Sequence, residues 1–221
     1  MQGGFPIDLI LFAMVAAFLV LRLRSVLGKR QGFERQPQPQ PLPDGRVARA
    51  DGVVEEIAPA RREARRIIPD PRGPVGQGLA RIGAADPSFE PNGFLDGAEG
   101  AFRMIVGAFA AGDRATLRPL LSDDTYAGFE GAISSRENAG ESQRTEIRSM
   151  HEMAIEGADL RGTTAEVTVR ITSDQVNLTT GRNGEIVAGS DAITEVTDIW
   201  TFQRDVTSGD PSWRLVATRS A

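Results

Sequence analysis

Cysteine is absent from the 221 residues, which excludes disulfides and thiolate metal sites and gives no sign of an oxidising compartment. Lysine occurs once, as Lys29, so arginine carries nearly all the positive charge. Histidine also occurs once, as His151. A lone imidazole and no thiol leave only carboxylates as further metal ligands, and no acidic run has calcium-loop spacing, so the sequence assigns no metal or cofactor. The phosphate-cradling pattern G-x-x-x-x-G-K is missing, and the glycines are scattered. Positive charge is scarce where a nucleic-acid surface would need it. Residues up to Gly93 hold 13 basic and 10 acidic side chains, whereas Phe94 onward holds 12 and 20. A C-terminal part with net charge −8 does not fit phosphate binding.

What is present begins with an apolar block, DLILFAMVAAFLVLRLRSVLGKR. No Lys or Arg precedes Phe5, and arginines rather than small cleavage-site residues follow the block, so it reads as a retained anchor and not a signal peptide. Phe5, Leu9, Ile10, Leu11, Phe12, Phe18, Leu19 and Leu21 supply the apolar surface, with Asp8 at its margin. About 17 residues is the short end of a bilayer span. Arg22, Arg24, Lys29 and Arg30 all follow it, and positive charge stays on the cytoplasmic side, so the N-terminus is expected outside and the rest of the chain inside. The same cations can reach anionic headgroups.

Gln36 to Arg46, QPQPQPLPDGR, has the alternating prolines of an extended spacer. Arg61, Arg62, Arg65 and Arg66 follow as a basic collar, and Pro69, Pro71 and Pro74 close the stretch. The expected organisation is an anchor at 1–27, a linker at 28–77 and a domain at 78–221.

From Phe94 the pattern becomes helical: Leu95, Ala98, Phe102, Ile105, Val106 and Phe109 recur at helix spacing. Gly112 marks a stop and Asp113 the next N-cap. A short helix over Arg114–Leu121 and a third from Ser122 to Gly140 complete the helical part. Period two then takes over at Ile147–Ile155, Ala165–Thr172, Val196–Phe202 and Trp213–Ala217, with Asn183-Gly184 as a hairpin turn between Gln175–Thr180 and Glu185–Ala188. Helices first and an antiparallel meander after predict an α+β domain, with helices covering one face of a curved sheet.

The run GLARIGAADPSFEPNGFLDGAEGAFRMIVGAFAAGD, the turn LRPLLSDDTYAGF, and the later VTDIWTFQRD and SWRLV together resemble the Tim44-like domain family, from about Gly78 to the C-terminus. That family contains the scaffold of the mitochondrial inner-membrane import motor and anchored bacterial relatives. The resemblance implies a cone-shaped, nuclear-transport-factor-two-like fold at an energy-transducing membrane. It also implies a scaffolding role toward chaperones or membrane-protein assembly machinery. An apolar anchor in place of a transit peptide points to a bacterial inner-membrane adaptor, with lipid and protein as partners and no nucleic acid.

Two polar residues fall on apolar strand faces. Counting by two, His151 shares a face with Ile147, Met153 and Ile155, and Asp198 shares one with Val196, Trp200 and Phe202. If both faces line one hollow, His151, Asp198, Trp200, Phe202 and Arg204 form a binding interior, and His151 with Asp198 is an acid–base pair of the kind an isomerase or dehydratase uses. The alternative is an Asp198 neutralised by an inward arginine such as Arg204, with the aromatics, Trp213 included, serving as core. Arg136, Arg144 and Arg148 are either a rim patch or solvated charge. The main expectation is an adaptor without enzymatic activity; a membrane-tethered isomerase or dehydratase and a lipid-binding module are the alternatives.

Overall fold

The computed structural model describes residues 64–220. The span from Phe5 to Leu21, the cations from Arg22 to Arg30 that orient it, and the proline spacer lie outside the described residues. Within them, no helix is long and apolar enough to cross a membrane.

In chain order the elements are β1 (Arg65–Ile67), α1 (Pro74–Ala85), α2 (Pro91–Ala111), α3 (Arg114–Leu120), α4 (Asp123–Ala139), β2 (Ser142–Arg161), β3 (Thr164–Thr180), β4 (Ile186–Asp205) and β5 (Arg214–Ser220). The fold therefore starts upstream of Gly78, and β1 and the first turn of α1 occupy what composition reads as linker. Pro74 sits at the first helical position of α1, where its missing N–H costs nothing.

The sequence's helix signals act as read. Asp113 Oδ1 accepts from Thr116 N at 3.0 Å, and Ser122 Oγ accepts from Thr125 N at 3.3 Å, each satisfying an orphan donor. Glu90 does the same for α2 through Gly93 N at 2.7 Å. Gly112 and Gly140 end α2 and α4 in the left-handed region, both at φ 71°.

All five strands form one sheet in the order β1-β2-β3-β4-β5. β2 to β5 are antiparallel neighbours, but β1 lies parallel to β2, with Arg65 opposite Glu152, so the sheet is mixed and not wholly antiparallel. Strands that look like separate pieces in the sequence are continuous: β3 runs unbroken through Ser173, Asp174 and Gln175. Its burial alternates strictly from Ala165 to Gln175, which defines an inner face of Ala165, Val167, Val169, Ile171, Ser173 and Gln175.

The register of β2 slips between Ile147 and Ser149, between Met150 and Glu152, and between Ile155 and Gly157. Each extra residue restarts the alternation and bends the strand. β4 carries a larger detour: Gln175 faces Thr194 and Asn177 faces Ser190, so three residues of β4 oppose the single Val176.

Helices α1 and α2 pack on the inner face over β2. Leu95, Phe102 and Ile105 of α2 are fully buried there, together with Met153, Val167, Val169, Ile171 and Phe202 from the sheet. Burying each such side chain contributes roughly 1.5–3 kcal/mol. Gly78 lets α1 approach: a Cβ at that position would lie 2.0 Å from the carbonyl oxygen of Ala158 on β2. At the other end of the layer, Leu121 bridges Leu215 of β5, and Ser122 N donates to Leu215 O at 2.9 Å.

Candidate functional site

An aromatic groove opens between the N-terminal half of α2, the end of α3 and the connection from β4 to β5. It is lined by Phe89, Phe94, Ala98, Ala101, Met104, Leu120, Phe202 and Trp213, and encloses about 440 Å³. Its walls are rings in contact: Phe94 packs edge-on to Trp213 at 4.9 Å and to Phe202 at 6.0 Å, and Phe89 touches both Phe94 and Trp213 at 5.9 and 5.8 Å. Phe202 is the buried floor. Met104 on the rim is 51% exposed, a flexible thioether of the sort that adapts to varied apolar surfaces. On α2, Gly93 and Gly97 keep the wall low.

Arg204 enters the groove beside Phe202. Its Nη2 lies 2.8 Å from Asp86 Oδ2, and the two side chains retain 11% and 8% exposure. The contact satisfies charge but is off-line for a hydrogen bond. Arg204 Nε finds no acceptor among the described residues. Asp86 is held independently: its Oδ1 accepts from Ser88 N at 3.0 Å and Ser88 Oγ at 2.6 Å. Those hydrogen bonds and the Arg204 charge hold its pKa below the usual carboxylate range, against the opposing effect of burial. The sequence expectation that Arg204 neutralises Asp198 is thus corrected: its anion is Asp86, from the loop after α1.

Asp198 occupies the inner face of β4, opposite Ile171 of β3 and Ser220 of β5. Its Oδ2 accepts from Gln175 Nε2 at 3.3 Å, and Gln175 also donates to Ser173 Oγ at 3.0 Å. The ladder continues: Asn177 donates to Gln175 Oε1 at 3.1 Å, and Thr145 donates to Asn177 Oδ1 at 2.8 Å. Gln143 links Thr145 to Arg136. Arg136 also donates to the carbonyls of Phe109 at 2.7 Å and Ala110 at 3.3 Å, capping the last turn of α2. That placement removes Arg136 from any rim patch, while Arg144 and Arg148 are both paired with Glu146. The ladder explains why β3 runs through a polar stretch: its buried polar atoms are satisfied on the inner face.

His151 is elsewhere. The slip between Ile147 and Ser149 switches the parity, so counting by two from Ile147 fails, and His151, the extra residue of the next slip between Met150 and Glu152, projects its imidazole from the outer face. There its Nε2 lies 2.9 Å from Asp174 Oδ2, with the side chains 43% and 29% exposed. His151 and Asp198 lie on opposite faces of the sheet and cannot act on one substrate as a pair. Of the five residues expected in the interior, Phe202 and Arg204 reach the groove. Trp200 is buried behind them against Phe102, with ring centroids 4.7 Å apart, and Asp198 belongs to the ladder. The groove residues that pattern reasoning missed, Phe89 and Phe94, sit in the loop and first turn around Pro91. Phe89 precedes the helical stripe, and Phe94 stands at its start, where periodicity alone does not separate groove wall from core.

Among solved structures, the fold is similar to the intermembrane space region of the chloroplast protein ARC6. The identity is 8% and the TM-score 0.41, over 57% of this chain and 94% of that one. It is also similar to a conserved protein from Planctomyces limnophilus DSM 3776, at 15% identity and a TM-score of 0.33, over 56% of this chain and 94% of that one. No curated protein matches the sequence. The Tim44-like domain family matches residues 75–220, from the start of α1 to the end of β5. The chain belongs to the Tim44-like domain family.

Proposed function

We propose that this protein is a membrane-anchored adaptor whose Tim44-like domain takes a short apolar segment of a protein partner into the aromatic groove. The observation that carries the reading is the groove itself: contacting aromatic rings, an exposed methionine on the rim and a buried guanidinium with a free N–H at one end. Such a site favours an amphipathic segment that buries two or three apolar side chains and places a backbone carbonyl or a carboxylate near Arg204. The anchor at the N-terminus would hold the domain at the cytoplasmic face of the inner membrane. Tethering then raises its effective concentration toward membrane partners, so modest intrinsic affinity suffices. Membrane-protein assembly or translocation machinery, or a chaperone serving it, is the partner class that this arrangement suits.

A photoactivatable residue at Met104, irradiated in native membranes, tests the proposal. Crosslinks to a discrete protein that disappear on Trp213→Ala support it. Crosslinks to lipid alone would replace the adaptor with a lipid-binding module, and a domain protected from protease in inside-out vesicles would reverse the orientation.

A further inference from the structure

The outer face of the sheet carries a second polar constellation, on the side away from the groove. Ser149 of β2 stands directly opposite Asp174 of β3, and Asp174 directly opposite Glu195 of β4. Two carboxylates facing each other across adjacent strands repel, and a cation between them would relieve that repulsion. The bulge at His151 supplies a nitrogen at that point. His151 Nε2, Asp174 and Glu195 each offer one donor atom, all within 4.8 Å of one another. Ser149 Oγ donates to Asp174 Oδ2 at 2.8 Å and lies 3.4 Å from His151 Nε2, holding both donors in place.

We propose that His151, Asp174 and Glu195 form a surface site for a first-row divalent cation, with Zn²⁺ the best match. One imidazole and two carboxylates are borderline ligands that suit zinc, cobalt or nickel, whereas calcium needs six or more oxygens. Zinc bonds of about 2.0–2.2 Å in a tetrahedron put neighbouring donors roughly 3.3 Å apart. The 2.9 Å His151–Asp174 contact needs to open by only a few tenths of an ångström. Water completes the fourth position on this exposed face. The serine plays the supporting part, hydrogen-bonding the ligating carboxylate. Donors from three strands make the ion a transverse staple across β2, β3 and β4, beside the register slip at His151. The three residues are 23, 21 and 44 positions apart in sequence, and only the register of the sheet gathers them.

Because His151 is the only histidine and cysteine is absent, the imidazole resonances of the full chain, produced without a polyhistidine tag and held in detergent, report on this site alone. Titration with Zn²⁺ is expected to shift those resonances and saturate at one equivalent, while Ca²⁺ leaves them in place. Asp174→Asn and Glu195→Gln should each weaken binding at least tenfold, and His151→Ala should abolish the one-equivalent step. All three positions are solvent-exposed or half-buried, so the variants keep the circular dichroism of the parent. Imidazole signals unmoved at a tenfold excess of Zn²⁺, or carboxylate variants that bind as tightly as the parent, would overturn the assignment. The first of these readouts requires no variant to fold.

Discussion

The Arg204–Asp86 pair makes a sharp energetic test, because the two side chains are almost entirely removed from water and meet at 2.8 Å. Deleting one partner of a buried pair leaves the other charge without compensation, at a cost of about 3–5 kcal/mol. Arg204→Met keeps the apolar stem but leaves the Asp86 carboxylate with only its Ser88 hydrogen bonds, so the cost falls near 3 kcal/mol. Asp86→Ala strands a guanidinium whose Nε already lacks an acceptor, so the cost rises to about 4 kcal/mol. The double variant removes both charges, and its cost should fall short of the sum by roughly 2–3 kcal/mol. Urea unfolding read by the emission of Trp200 and Trp213 resolves these differences. With a slope of roughly 2 kcal/mol per molar, each single variant lowers the midpoint by about 1.5–2 M. Acid adds an independent check. Asp86 is depressed in the fold, so its stabilisation is complete above the ordinary value of 3.8 and is lost as pH falls through the lower folded value. Asp86→Asn should therefore show a shallower loss of stability below that pH than the parent does. Single-variant costs that simply add in the double variant would refute the reasoning, since two side chains that do not interact cannot be responsible for one another's burial.

Substitution at two glycines should have opposite signs. Gly78→Ala drives a methyl to within 2.0 Å of a backbone oxygen of β2 and should cost about 1–3 kcal/mol by thermal or urea unfolding, whereas Gly97→Ala, on open α2 surface, should stabilise by about 0.5–1 kcal/mol. Ser122→Ala removes the cap of α4 and its hydrogen bond to Thr125 Oγ, lowering stability by about 1 kcal/mol in the same assay. Phe102→Ala empties a fully buried site against Trp200; it should cost about 3–5 kcal/mol and alter tryptophan emission.

The helical layer was legible because its signals are local. Gly112, Asp113, Ser122 and Gly140 each act on their own neighbours, and the apolar stripe of α2 needs no partner to be recognised. Helix α1 was not, since PVGQGLARIGAA holds three glycines and becomes a helix by packing on β2, which no propensity within it reveals. The three-residue β1 depends on a parallel partner nearly ninety residues away. In the sheet, period-two counting works along β3, where nothing interrupts it, and fails along β2, where three register slips change parity. His151 went to the wrong face for that reason. Arg204 was rightly read as inward, but its anion lies 118 positions earlier, at a distance only the folded chain closes.

The three-residue detour in β4 has a consequence for how copies of this molecule coexist at high concentration. β5 ends its pairing at Asp198, so the half of β4 from Ile186 to Thr197 has no strand beyond it among the described residues, and it displays Ile186, Val187 and Ile193. A straight margin of that length and greasiness would template fibre growth, one chain zipping onto the next. Residues 191–193 loop out of line and interrupt the row of donors and acceptors, so an incoming strand loses its register after a few bonds, and the irregularity keeps a long sheet from polymerising.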